Sequence, residues 1–338
     1  MNAGAIRWLL SLGARPAGAR SGAPRLTIVR HHRVYADGER PLYALGVSES
    51  VLAGQLEACA GAGLTPVTVG EGLEGLARGD ERHALAFSFD DGYADNVARA
   101  LPLLVRHGAR ATFFLAAGLM EERRAPWWDE LAFALENAGV RSASVSLGGT
   151  ALELRLADRA GRASALRALL PLMRVPPAEQ RVRLDALRAA TRATAQAPCE
   201  LAEWPFAARL AAAGMELGAH TLTHPFLSLL DAADQRREIA ESAALVHQRT
   251  GAEVSGLAYP NGDHDAATME AARASGLRYA VVTASGDCVP GTPRFRLPRR
   301  PLTEGACRGP FGFSARMTLA EVGGAFDRLR GRPAESAS

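Results

Sequence analysis

The sequence predicts an α/β fold with parallel strands, on three observations. From about residue 25 onward, short apolar runs bounded by turn residues alternate with longer amphipathic stretches, the pattern of repeated strand–helix units. Seven such runs occur, which suits a closed or nearly closed barrel better than a flat sheet, although the pattern by itself leaves both open. The 338 residues, 48% of them hydrophobic and 22% charged, have the composition of a globular protein long enough to bury a sizeable core.

Taken in order, the predicted strands are Leu26–Val29, Thr65–Val69, Leu85–Phe89, Ala111–Leu115, Met215–Ala219, Gly256–Tyr259 and Tyr279–Thr283. Helices are predicted between them at Glu49–Gly61, Asn96–His107, Phe206–Ala213, Ala233–Thr250 and Ala266–Ser275, each with apolar residues at helical spacing. Trp127 to Glu203 breaks this rhythm. It holds Ala/Arg/Leu-rich helical sequence such as Ala163–Leu172 and Arg181–Ala193, and reads as a helical insertion on the barrel, with Arg192–Cys199 as the loop that returns the chain.

The division of the chain follows: an N-terminal segment over 1–24, a barrel over 25–305 with its insertion at about 127–203, and a C-terminal helix with a disordered tail over 306–338. The apolar run Ile6–Leu12 is too short to span a membrane and lacks the flanks of a signal peptide. It predicts a short helix docked on the domain, with a shallow membrane-surface contact as the alternative, and hence a cytoplasmic or membrane-peripheral protein. The formal net charge is +3, and the arginines are spread without interleaved aromatics, so nucleic acid is not an expected partner. Cys59, Cys199, Cys288 and Cys307 are too scattered to form a zinc ribbon or a redox pair.

Three strand ends carry the chemistry. In Phe89-Asp90-Asp91-Gly92-Tyr93 an apolar strand runs into two carboxylates at the edge where α/β active sites lie. One Asp can bind a cation while its neighbour takes a proton from a water there; a plain turn with a helix cap is the competing reading. The second is His220-Thr221-Leu222-Thr223-His224-Pro225, whose two imidazoles can converge on one metal. One Asp with two His leaves positions for water, a catalytic rather than a structural ligand count. The third, Tyr259-Pro260-Asn261-Gly262, reads on its own only as a tight turn.

These motifs, with Ala111-Thr112-Phe113-Phe114-Leu115 between the first two, resemble the polysaccharide deacetylase family, also called the NodB-homology domain or carbohydrate esterase family 4. The resemblance covers roughly residues 26 to 300, and the opening His31-His32-Arg33-Val34 is similar to the Tyr-His-Arg-Val of the branch found in bacterial polysaccharide biosynthesis. It implies a distorted seven-stranded (β/α) barrel that removes acetyl groups, usually from N-acetylated sugars, with a divalent metal, commonly zinc. It also implies roles: Asp90 as general base, Asp91, His220 and His224 as metal ligands, the Tyr93 backbone N–H as an oxyanion donor, and Tyr259 and Pro260 as walls of the substrate groove.

Two departures from the family pattern bear on mechanism. The family's Arg that orients the catalytic Asp is replaced by Ala258, and its late Leu-x-His, the general acid, is missing, which leaves His32 and His264 as the candidate proton donors. Trp127 is a candidate sugar-stacking ring with core packing as the competing reading, and Arg294, Arg296, Arg299 and Arg300 read as a solvated, partly structural basic segment, with contact to an acidic or phosphorylated glycan as the alternative. The predicted activity is thus de-N-acetylation of an oligo- or polysaccharide, with O-acetyl esterase activity and a catalytically silent carbohydrate-binding protein as alternatives. Cobalt, nickel or manganese would suit the same ligands as zinc.

Overall fold

The computed structural model describes residues 3–13, 23–80 and 83–330. Seven parallel strands form one curled sheet: β1 (Arg25–His31), β2 (His83–Phe89), β3 (Ala111–Leu115), β4 (Glu216–Ala219), β5 (Gly256–Ala258), β6 (Tyr279–Val281) and β7 (Arg300–Pro301). Their spatial order is β6-β5-β4-β3-β2-β1-β7, so each strand up to β6 lies beside its predecessor. β7 then pairs with the free side of β1 through Val29–Arg300 and Arg30–Pro301. A parallel bridge from Val281 in β6 to Leu297, just before β7, joins the two edges and closes a distorted seven-stranded barrel, as predicted.

One predicted strand is wrong. Thr65–Val69 makes only a single bridge, Val67 to Ala86. Pro66 has no N–H to give a ladder, and Thr68 instead caps the helix Val69–Arg78, exchanging hydrogen bonds with Glu71 in a capping box. The seventh strand is β7, which lies in the arginine- and proline-rich run Arg296–Pro301, where no apolar pattern announces it.

Because the strands are covered on both faces they are apolar throughout, yet alternate residues still serve different layers. Leu26 and Ile28 of β1, Ala86 of β2, Phe114 of β3 and Tyr279 of β6 fill the barrel interior, while Val29, Phe87, Phe89 and Phe113 pack outward against helices. The predicted helices form within one or two residues of their expected bounds at Glu49–Gly61, Trp204–Ala212, Ala232–Thr250 and Ala266–Ala274. Asn96–His107 opens instead with a wide π-helical turn, Asn96–Ala100, before the α-helix Leu101–Arg106, whose Pro102 has no N–H to give the turn before it.

The insertion is not wholly helical. Its helices Arg159–Leu169 and Pro177–Thr191 are preceded by an antiparallel hairpin, Ser142–Leu147 with Thr150–Arg155, turning at Gly148 and Gly149, both at positive φ. With the helix Trp127–Glu136 these elements bury a separate apolar cluster that includes Leu131, Leu147, Leu154, Leu169 and Leu184, with Tyr43 and Trp127 at its border.

The N-terminal helix Ala3–Gly13 lies against the C-terminal helix Ala315–Val322. Arg7 is paired with Glu321 at 2.5 Å and stacked on Phe326, and Trp8 packs on the cluster of Met317, Ala320 and Phe326. No helix among the described residues is long and apolar enough to cross a membrane. The predicted disordered tail beyond Arg330 lies outside the described residues.

Candidate active site at the barrel mouth

The carboxylate pair sits where β2 ends. Asp90 N–H still donates to His31 O, continuing the ladder. Asp91 (φ 74°) and Gly92 (φ 85°) then turn the chain sharply away in left-handed conformation. A Cβ at Gly92 would meet Leu115 and Met120 at 3.0 Å, so the turn requires glycine both for its φ and for its space. An Asp at positive φ is uncommon, and Thr221, His224 and Asn261 at the same mouth share that conformation. Such strain persists only where surrounding contacts impose it, and it gathers at functional sites.

Those contacts are visible around the His220–His224 loop. Glu238, buried on the helix Ala232–Thr250, accepts hydrogen bonds from the N–H groups of Leu222 (2.8 Å) and Thr223 (2.9 Å) and from Thr223 Oγ1 (2.7 Å). Ser242, one turn on, donates to Thr221 O. From the other side the Ala117 and Leu119 N–H groups donate to Thr221 O and Leu222 O, and a Cβ on Gly118 would lie 2.7 Å from Leu222 O. The loop is thus clamped between two helices. Nothing in the sequence marks Glu238, because a glutamate on an amphipathic helix looks like any solvated residue.

Asp91, His220 and His224 are all buried, and their ligating atoms lie within 4.8 Å of one another. His220 Nδ1 is 2.7 Å from Ala258 O. A carbonyl only accepts, so Nδ1 carries the proton and Nε2 presents a lone pair. That Nε2 is 3.3 Å from Asp91 Oδ1, and His224 Nε2 is 3.6 Å from it. Asp91 Oδ1 is buried with no hydrogen-bond partner. Two imidazole nitrogens converging on an orphaned carboxylate oxygen are a donor set for a cation, and the residues fit a divalent metal.

Asp90 is held quite differently. Its Oδ1 and Oδ2 accept hydrogen bonds from Arg299 Nη1 (2.6 Å) and Nη2 (2.8 Å), and both side chains are almost fully buried. Nη1 also reaches Ser88 Oγ, and Nε donates to Val282 O. Burial alone would raise the Asp90 pKa, but the Arg299 guanidinium, with His220 and His32, holds it well below the usual carboxylate range. This corrects two readings. Arg299 and Arg300 are buried rather than solvated, Arg300 pairing with Asp287 and Asp327. The Arg missing at Ala258 is supplied from the segment that closes the barrel. No local motif marks it, since Arg299 and Asp90 are 209 residues apart.

The remaining predicted residues divide. His32 lines the cleft, its Nε2 3.9 Å from Asp90 Oδ2. Burial lowers its pKa against the pull of Asp91 and Asp90. His264 is not among the cleft-lining residues; its ring stacks on Tyr259 and its Nδ1 bonds to Gly262 O. Tyr259 lines the cleft with its hydroxyl turned to Phe295 O, whereas Pro260 does not line it. Trp127 and Trp128 reach the cleft from the insertion, Trp128 edge-on to His224.

The Tyr93 ring is fixed by a hydrogen bond from its hydroxyl to Asp129 Oδ2, another from Trp128 Nε1, and Arg33 lying over its face. Its backbone is fixed by the bridge to Leu201, in which Ala94 N–H and Gly92 O bond the facing strand segment at Glu200 and Ala202. The whole cleft, about 320 Å³, also includes Arg30, Tyr43, Leu45, Asn261 and Thr283. A larger hollow of about 520 Å³ lies at the opposite end of β1 and β2, among Arg25, Glu71 and His83, away from the metal-ligand set.

A parallel barrel with a candidate metal-ligand set and a buried carboxylate at its C-terminal mouth has the parts that metal-assisted hydrolysis uses. Residues 77–150 and 179–280, a little over half of the chain, match the family model for polysaccharide deacetylase. The chain belongs to that family, hydrolases acting on carbon–nitrogen bonds other than peptide bonds, whose substrates are acetylated carbohydrates and whose members use a divalent metal. The unmatched residues 151–178 fall inside the insertion.

Solved structures similar in fold include a Streptococcus pyogenes deacetylase, PplD, in complex with acetate (15% identity, 89% of this chain and 99% of that one, TM-score 0.60). IcaB from Ammonifex degensii gives 17% identity, 91% and 100% coverage and a TM-score of 0.56. The BpsB deacetylase domain from Bordetella bronchiseptica gives 15%, 85% and 97%, and 0.51. A comparison with curated protein sequences gave no match.

Proposed function

We propose that this chain removes the acetyl group from N-acetylated sugar residues of an oligo- or polysaccharide. Asp91, His220 and His224 hold a divalent metal, zinc by ligand type, and Asp90 is the general base. The observation that carries this reading is that two adjacent carboxylates are partnered so differently: Asp91 faces two imidazole nitrogens, while Asp90 is fixed by a bidentate guanidinium.

When bound, the metal supplies Lewis-acid polarisation and makes a water easier to deprotonate. The chain's own residues do the rest. Asp90, kept ionised by Arg299, accepts the proton. The Tyr93 N–H, fixed by the Leu201 bridge and by the anchored ring, supports charge on the acetyl oxygen, a contact worth about 3–4 kcal/mol in other hydrolases. His32, close to Asp90, is positioned to pass a proton to the departing amine. Its place in the cleft makes it the proton donor of this reading in preference to His264.

Acetate release from N-acetylated and O-acetylated oligosaccharides, measured side by side on metal-loaded protein, tests the proposal. Turnover of the N-acetylated substrate that vanishes in Asp90→Asn supports it. Turnover confined to O-acetylated glycans would make the chain an esterase, and glycan binding with no release from either would make it a binding protein.

A further inference from the structure

Arg30 is a charged cleft residue that the deacetylation chemistry leaves without a task. It continues the inward row Leu26, Ile28, Arg30 on β1, and its register partner on β2 is Ser88. That row is apolar until it reaches the mouth, where a guanidinium lines the same cleft as Asp90, Asp91, His220 and His224. Among the described residues Arg30 enters no ion pair. Its Nε is buried without a hydrogen-bond partner, and so is the indole Nε1 of Trp127, which lines the same cleft. Arg30 and Trp127 are each only partly buried, but a buried donor with no partner is costly unless something else meets it.

Among the described residues, no carboxylate lining the cleft is left to do so. The cleft's acidic residues are Asp90 and Asp91. Asp90 is neutralised on both oxygens by Arg299, and Asp91 belongs to the metal-ligand set. Loading the site with a divalent cation adds positive charge. Burial, with Arg299 nearby, lowers the Arg30 pKa to about 10, although Asp90 and Asp91 pull the other way.

We propose that the cleft is built for an acidic glycan: an anionic group on or beside the acetylated sugar, a carboxylate or a phosphate, is received by the Arg30 guanidinium with Trp127 Nε1–H as a further donor. A planar guanidinium matches either anion through paired N–H donors. This inference rests on the deacetylase reading and adds the substrate class to it. Arg30 is then a specificity residue rather than a catalytic one, acting on substrate affinity more than on the chemical step.

The test uses the metal-loaded full chain and three matched N-acetylated oligosaccharides: one neutral, one with a hexuronic acid beside the acetylated residue, and one with a phosphate ester there. Hydrolysis of 4-nitrophenyl acetate, lost in Asp90→Asn, serves as the independent check on the deacetylase machinery. The wild type is expected to prefer one of the acidic substrates, and which one is preferred identifies the anion. In Arg30→Gln that preference should collapse by about ten- to a hundredfold, through KM more than kcat. Arg30→Lys, which keeps the charge, should restore part of it and controls for folding.

Equal kcat/KM on neutral and acidic substrates in the wild type, with Asp90-dependent ester hydrolysis intact, overturns the anionic class and leaves the deacetylase reading standing. An equal loss of kcat on every substrate in Arg30→Gln also overturns it, making Arg30 part of the catalytic electrostatics. Absence of any Asp90-dependent hydrolysis removes both readings together.

Discussion

Neighbours in sequence need not be neighbours in chemistry, and Asp90 and Asp91 owe their difference to what each one faces. Two imidazole nitrogens meet Asp91 Oδ1, while the Arg299 fork takes both oxygens of Asp90. Removing that fork should show in the pH profile. In Arg299→Gln the Asp90 pKa rises toward, or with burial above, the ordinary carboxylate range, so the acidic limb of kcat/KM should move to higher pH and its plateau fall about 10–100-fold. An unmoved acidic limb would detach Asp90 from the rate-determining proton transfer. Because the substitution leaves a buried carboxylate unpaired, a stability loss of about 3–5 kcal/mol is expected with it.

A second residue-scale prediction concerns Asp129. Burial raises its pKa from 3.8 to about 7, partly opposed by the Tyr93 hydroxyl and Arg33. The folded protein therefore holds a proton that the unfolded chain releases near pH 4, so this carboxyl removes stability as pH rises from about 4 to about 7 and changes nothing further above that. Asp129→Asn keeps an acceptor for Tyr93 and should flatten this part of the pH–stability curve, with a gain at pH 8 on the order of a few kcal/mol. Chemical denaturation at pH 5 and pH 8 reads it directly; identical pH dependence in both proteins would count against a protonated Asp129.

At the scale of elements, the metal-ligand loop is held by its neighbours more than by its own sequence. Glu238 accepts three hydrogen bonds from Leu222 and Thr223, and His224 sits in left-handed conformation within that clamp. Glu238→Ala should weaken metal affinity about 10–100-fold while leaving helical content unchanged, as measured by calorimetric titration and circular dichroism. Unaltered affinity would mean the loop keeps its shape unaided.

The same scale explains which elements are legible in the sequence. β2, β3 and the helix Glu49–Gly61 are legible because burial on both faces, or on one, writes itself as an apolar run or a helical period. The hairpin of the insertion leaves a trace too, in the alternation of Val145, Leu147, Leu152 and Leu154 about Gly148-Gly149, but the surrounding helical composition masks it. β7 is not legible. Two residues of arginine and proline become a strand only because β1 and β6 leave a place for them. Arg299 shares that cause: its partner is on a strand far away in sequence, and a basic segment looks the same whether water or a carboxylate awaits it.

At the scale of the whole molecule, the barrel supplies most of the cleft and the insertion adds two aromatic residues to it. The barrel contributes Arg30, Asp90, Asp91, His220 and Arg299, and the insertion contributes Trp127 and Trp128, whose helix belongs to the insertion's separate apolar cluster. A net charge of +3 over 338 residues gives no hint of the local balance at the mouth, where the pairing of individual carboxylates decides the field. The motifs at three strand ends disclose the chemistry, whereas the charge left over after pairing can be counted only with the partners in place.

In the proposed function Asp91, His220 and His224 hold a metal while Asp90 does chemistry beside it. The most direct measurement titrates zinc into chelator-treated wild type, Asp90→Asn and His220→Ala, following heat of binding and acetate release from an N-acetylated oligosaccharide in the same samples. Asp90→Asn is expected to bind one equivalent much as the wild type does and to release no acetate, while His220→Ala loses both binding and release. Full turnover by Asp90→Asn, or undiminished zinc binding by His220→Ala, would contradict it.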